Sequence, residues 1–190
     1  MRKAVVVLAG LCLALTSLTG CTETPSMNNT YQSGDGTVTE IKPANRSAAV
    51  TWNGIANDGI PLGSANLQGV ITVMNFWYAA CVACRVETPD LVELANEFEG
   101  KVQFVGVNVR DSADTANAFK RKFKINFPSI MDAESGDVVL AFTGVVTPSA
   151  VPTTLVIDRE GRPAARVLGI ADKETLRALI TSVIEEGVAD

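Results

Sequence analysis

The chain carries cysteines at positions 12, 21, 81 and 84 and no histidine. Only Cys81 and Cys84 are spaced to act together. Two sulfurs three residues apart serve as a reactive dithiol, as half of a metal site, or as packed apolar groups. A zinc or iron–sulfur site ordinarily takes four ligands, and with no histidine, Cys12 inside an expected signal peptide and Cys21 an expected lipid attachment site, one subunit has too few to supply them. The choice between the other two uses depends on the elements that hold the pair.

Val70 to Trp77 is almost wholly apolar and β-prone, the pattern of a strand covered on both faces. Beyond it Leu91, Leu94, Ala95 and Phe98 recur at helical spacing, so a helix runs from about Val82 to Phe98 and Gly100 ends it. Cys81 therefore stands at or just before a helix N-terminus, where unpaired N–H groups and the helix dipole favour negative charge. Such a place lowers a thiol's pKa, and the thiolate is the species that attacks disulfides. Cys84, one turn further in, is expected to be the more buried. The spacing yields an exposed attacking sulfur and a second that resolves the mixed disulfide. A reactive dithiol is thus favoured over inert packing.

The same reading extends down the chain. Val102 to Val109 is a second buried strand, Asp111 or Ser112 can cap a helix carrying Ala116, Phe119 and Phe123 on one face, and Ser129 to Met131 is a short strand. Val138 to Phe142 reads as a helical turn. Thr153 to Asp158 and Ala165 to Gly169 flank a turn and form a hairpin, and Leu176, Leu179, Ile180, Val183 and Ile184 line a last helix capped by Asp172. Parallel strands joined through helices, with an antiparallel hairpin at the end, imply an α/β sandwich around a mixed central sheet.

The N-terminus has a different character. Met1-Arg2-Lys3, an apolar run from Ala4 to Leu15 and Leu18-Thr19-Gly20-Cys21 follow the layout of a secretory signal, and the last four residues resemble the lipobox of bacterial lipoproteins. Residues 1–20 are accordingly read as a lipoprotein signal peptide and Cys21 as the lipid attachment site, with diacylation or triacylation enough for stable anchoring. Removing 1–20 takes away Arg2 and Lys3 and no acid, so a formal net charge of −5 becomes −7. So acidic a chain is a poor ligand for nucleic acid. Residues 21–48, rich in Thr, Ser, Asn, Gly and Pro, read as a flexible tether, with a packed arm near Thr37 to Lys42 as the alternative, and 49–190 as one domain.

The buried strand with Asn75-Phe76-Trp77, then Cys81-x-x-Cys84-Arg85, Glu87 and Pro89, resembles the active-site stretch of TlpA/ResA-like thioredoxin-fold oxidoreductases. Val151-Pro152 through Asp158 is similar to the family's segment in which a cis-proline faces the dithiol before the terminal hairpin. Residues 111–145 resemble its extra helix and strand. The resemblance implies a thioredoxin-like sandwich, a central mixed sheet flanked by helices with a small β/α insert. It implies a membrane-anchored extracytoplasmic thiol-disulfide oxidoreductase, acting as a monomer, whose redox group is the Cys81–Cys84 disulfide itself, with no cofactor and no metal. In it Cys81 attacks and Cys84 resolves, Val151 and Pro152 pair with an extended client, and Trp77 packs beside the sulfurs.

Glu87 either handles protons for the buried thiol or is an ordinary solvated helix carboxylate, and Asn75 cannot act as a base. Arg85 reads as a solvated charge. The implied clients are apocytochrome c or other exported proteins, with electrons from a membrane partner of the CcdA/DsbD type. A disulfide-forming oxidase and a redox-inactive binding lipoprotein remain as alternatives; a copper chaperone of the Sco type lacks its histidine. Two positions depart from the family's usual pattern: Ala80 stands where tryptophan is common and Ala83 where proline is common. Both adjoin the sulfurs and bear on the redox potential.

Overall fold

A computed structural model describes residues 30–33, 36–146 and 150–187. In chain order these form β1 (Thr30–Ser33), β2 (Gly36–Glu40), β3 (Asn53–Ile55), β4 (Pro61–Gly63), β5 (Ile71–Trp77), α1 (Val82–Glu97), β6 (Val102–Asn108), α2 (Ala113–Phe123), β7 (Ser129–Met131), α3 (Asp137–Ala141), β8 (Thr153–Ile157), β9 (Pro163–Leu168) and α4 (Lys173–Glu186). The expected signal peptide and Cys21 lie outside the described residues. Among the described residues no helix is long and apolar enough to cross a membrane.

Seven strands make one sheet in the order β1-β2-β9-β8-β5-β6-β7. β5 is its centre, parallel to β6 and antiparallel to β8, and all seven of its residues are buried. Full burial follows from helices on both faces, which is why the strand reads as a continuous apolar run. The pleat sorts its side chains. Ile71 and Val73 pack with Leu91 and Leu94 of α1 and with Leu176, Leu179 and Ile180 of α4. Met74 and Phe76 point the other way, onto Trp52, Val138 and Phe142. Asn75 and Trp77, in phase with Val73, are thereby aimed at the α1 side.

The expected strands and helices are present, with Ser112 and Asp172 as the N-caps of α2 and α4: their side chains accept from the Thr115 and Thr175 N–H groups. Two features differ from the sequence reading. The β3–β4 hairpin was not anticipated, because three-residue strands carry too little alternation to register. The tether boundary at residue 48 is also corrected. Gly36–Glu40 pairs antiparallel with β9, from Thr37 opposite Leu168 to Glu40 opposite Ala165, and Val38 is buried in the core. One inward valine between outward threonines suffices to dock this strand, and polar neighbours hide it in composition. The packed arm near Thr37 is the reading that holds.

Candidate active site

The end of β5 delivers the dithiol. After Trp77 the chain leaves the sheet, and Cys81 occupies the N-cap of α1 with extended backbone angles, its Sγ accepting from the Cys84 N–H at 3.0 Å. The sulfurs are bonded to each other across Cα atoms 5.3 Å apart. A helix N-terminus therefore points a main-chain donor at Cys81 Sγ, the environment the spacing predicts. The expectation of an exposed Cys81 needs correction: it retains 5% exposure against 1% for Cys84. With the disulfide closed, Cys81 lies in a cluster with Trp77, Cys84, Ala116 and Phe119, against which Tyr78, Ala79 and Val151 also pack.

The loop before Cys81 is clamped from both sides. The Ala79 N–H donates to Asp111 Oδ2 at 2.6 Å, and Asn108 Nδ2 steadies the same oxygen at 2.7 Å. On the other side Arg85 Nη1 donates to the Ala79 carbonyl at 2.9 Å while its guanidinium lies 5.7 Å and 5.5 Å from the Phe119 and Phe123 ring centres. Arg85 is thus a structural cation stacked on aromatics and not the solvated charge expected from sequence. Trp77 continues the stack onto Phe119 at 4.6 Å between centroids. Its indole needs Gly106 beneath it, since a Cβ there would stand 2.8 Å from Trp77 Nε1. The aromatic residues that pack against Trp77 and Arg85 thus come from α2, which sequence reasoning placed in the insert without assigning it to the site. The signal available was Asn108-x-x-Asp111, an Asx turn that fixes the carboxylate: the Arg110 and Asp111 N–H groups both donate to Asn108 Oδ1.

Glu87 is 1% exposed, so it is not a solvated carboxylate. Its Oε1 accepts from Asn75 Nδ2 at 2.7 Å and its Oε2 from the Ala171 N–H at 2.9 Å. Asn75 also donates to Thr154 Oγ1 at 3.0 Å, across the register that pairs the two residues in β5 and β8. Burial pushes the Glu87 carboxyl up to about 7, outweighing the two N–H donors that favour its charged form, and nearby Asp90 adds to the rise. It lies three residues after Cys84 on the same face of α1. A carboxyl that is half protonated near neutrality can both give and take a proton there.

The third component is the turn into β8. Val151–Pro152 is cis, Pro152 is buried and its carbonyl accepts from the Gly169 N–H at 2.9 Å. Thr153 of β8 pairs with Phe76 of β5, which places this turn at the sheet end that carries the dithiol. Among the described residues nothing pairs with the Val151 N–H or C=O. The described residues also contain no group of three His, Cys, Asp or Glu side chains suited to a metal ion. Dithiol, buried acid and cis-proline turn thus meet at one end of the sheet.

The family described as AhpC/TSA matches residues 46–164, which includes the dithiol, Glu87 and the cis-proline turn. The chain belongs to the AhpC/TSA family. Its relatives include the thiol:disulfide interchange protein HelX of Rhodobacter capsulatus, 30% identical over 131 residues that make up 68% of this chain and 70% of HelX. A solved DsbF homologue from Corynebacterium diphtheriae is 31% identical, with a TM-score of 0.71 over 82% of this chain and 99% of its own. A secreted thiol-disulfide isomerase from Corynebacterium glutamicum is 26% identical, with a TM-score of 0.73 over 83% of this chain and 98% of its own. This AhpC/TSA-family member has the thioredoxin-like sandwich that the sequence resemblance implies. With a disulfide-bonded CxxC at a helix N-terminus, it is a thiol-disulfide oxidoreductase of the group that includes the proteins named ResA, DsbE and HelX.

Proposed function

We propose that this protein is a membrane-anchored, extracytoplasmic reductase of disulfides in exported clients, apocytochrome c among them. The observation that carries the exchange chemistry, in either direction, is the buried Glu87, a neutral-range acid one turn along α1 from the resolving Cys84. In the reduced protein the Cys81 thiolate attacks one client sulfur, forming a mixed disulfide and releasing the other client sulfur as a thiolate that takes up a proton. Cys84 then loses its proton to Glu87 and attacks Cys81 Sγ, which expels the second client sulfur and restores the Cys81–Cys84 disulfide. Two electrons pass to the client. A dithiol donor in the membrane, of the CcdA/DsbD type, regenerates the enzyme. The client lies beside Val151, whose main-chain groups take it as an added strand.

The anchor is Cys21 after removal of residues 1–20, a reading supported by the lipobox-like Leu18-Thr19-Gly20-Cys21, while the secreted relative supports export. Cys21→Ala is expected to release the protein from the membrane fraction; a variant that stays bound contradicts the anchor.

One observation favours the opposite direction of flow. The Cys84 N–H directed at Cys81 Sγ stabilises the thiolate and hence the reduced dithiol, which makes a disulfide more oxidising. Equilibration with glutathione separates the two. A potential near the thioredoxin value of about −270 mV supports the reductase, and one near about −120 mV supports a disulfide-forming oxidase.

A further inference from the structure

A helix that buries one face in a core normally turns polar side chains to solvent. On α1 the outward positions at i, i+4 and i+7 from the N-terminus are Val82, Val86 and Pro89, all exposed, with Val82 at 76% and Val86 at 59%. The polar surface resumes one turn later at Glu93, which pairs with Lys173. The apolar stretch therefore begins at the residue after Cys81 and ends two turns later. Exposed Ala80 and half-buried Ala83 extend it around the sulfur without adding charge, and the nearest cation, Arg85, is turned away onto Phe119 and Phe123. Packing among the described residues does not account for two valines left exposed on this face.

We propose that Val82, Val86 and Pro89 form a client-recognition stripe that selects disulfides set in extended apolar segments. The inference rests on the reductase reading, and it names the class of segment that reading leaves open. Its occupant is a client chain because the stripe is continuous with Cys81, which must touch a client sulfur. Val151, whose main-chain groups have no partner among the described residues, supplies an edge for an extended backbone. An apolar segment gains by covering the valines, whereas a charged one loses solvation there, with half-buried Asp90 at the edge of the stripe as the neighbouring side-chain charge. Partly covering these two exposed valines corresponds to about a tenfold gain in rate for capture.

Two synthetic peptides test this. Each carries one cysteine in mixed disulfide with glutathione, flanked by Leu, Val and Ala in one and by Asp, Lys and Ser in the other. Glutathione release by the reduced full-length protein in detergent gives the ratio of the two rates. The stripe predicts that the apolar peptide reacts about tenfold faster, that the Val82→Ser, Val86→Ser double variant brings the ratio close to one, and that Leu140→Ser, at an exposed apolar residue on α3, leaves the ratio as in the wild type. Equal rates on both peptides, or an unchanged ratio in the double variant, would overturn this inference and leave the reductase reading standing. Release from neither peptide would overturn both. A self-association in sedimentation that the double variant abolishes would assign the stripe to a second copy of the chain instead.

Discussion

Two carboxylates are buried at opposite ends of the same sheet, and they are held in opposite ways. Asp158, past the end of β8, is 4% exposed and accepts from Arg46 Nη1 at 3.1 Å and Arg162 Nε at 2.8 Å, with the Glu160 and Arg162 N–H groups on its other oxygen. Arg46, itself only 2% exposed in its side chain, also reaches Glu186 near the end of α4. Glu87, at the dithiol end, is more deeply buried and among the described residues receives two neutral donors and no cation. Cations compensate the first carboxylate, so it fastens the N-terminal arm, the β8–β9 turn and α4 together. No cation compensates the second, so desolvation dominates and its proton becomes exchangeable near neutral pH. Burial alone does not tell a staple from an acid–base group; the charge of the partners does.

The largest expected effect breaks the staple. Asp158→Ala leaves Arg46 buried with one counter-charge removed, and urea denaturation is expected to show a loss of about 3 to 5 kcal/mol. A loss below about 1 kcal/mol would mean that the pairing is incidental.

Next comes the pH dependence of stability at the other end. Below pH 4.5 Glu87 is protonated both folded and unfolded, whereas from 4.5 to about 7 only the folded chain holds the proton. Its contribution to stability is therefore fully present below 4.5 and is lost as pH rises through about 7, a change on the order of 3 kcal/mol. Denaturation at graded pH is expected to show this decline in the wild type and a flatter profile in Glu87→Gln. The same variant is expected to slow resolution of the mixed disulfide by about 10²-fold in single-turnover measurements at pH 7, while Asp158→Asn leaves that step unchanged.

The smallest effect sharpens the contrast. Asn75→Ala removes one of the two donors to Glu87, at a cost below about 1.5 kcal/mol. Because that donor favours the charged form, the pH profile of the resolving step is expected to move toward higher pH. A move toward lower pH would show that Asn75 favours the protonated acid.

What the sequence disclosed and what it hid follow the same division between local and distant partners. The continuous apolar run of β5, the helical spacing of Leu91 and Leu94 and the position of Cys81 are local patterns, and each led directly to its element. Glu87 was legible as a candidate because it sits three residues from Cys84. Its burial was not, since Asn75 and Ala171, the groups that hold it, are 12 and 84 residues away. The Arg85 clamp was hidden for the same reason: an arginine in the first turns of a helix reads as solvated until Phe119 and Phe123 are folded beneath it. Val38 was masked by the threonines beside it, and only pairing with β9 shows it pointing inward.

The central claim is that the helix N-terminus makes Cys81 the nucleophile and Cys84 its buried resolving partner. Alkylation of the reduced protein with iodoacetamide across graded pH, read separately for each cysteine by mass spectrometry, tests it most directly. The account predicts that Cys81 is labelled first, with a midpoint below the ordinary thiol value of about 8.5, and that Cys84 is labelled slowly at every pH. Equal labelling of both sulfurs, or a Cys81 midpoint at or above about 8.5, would contradict it.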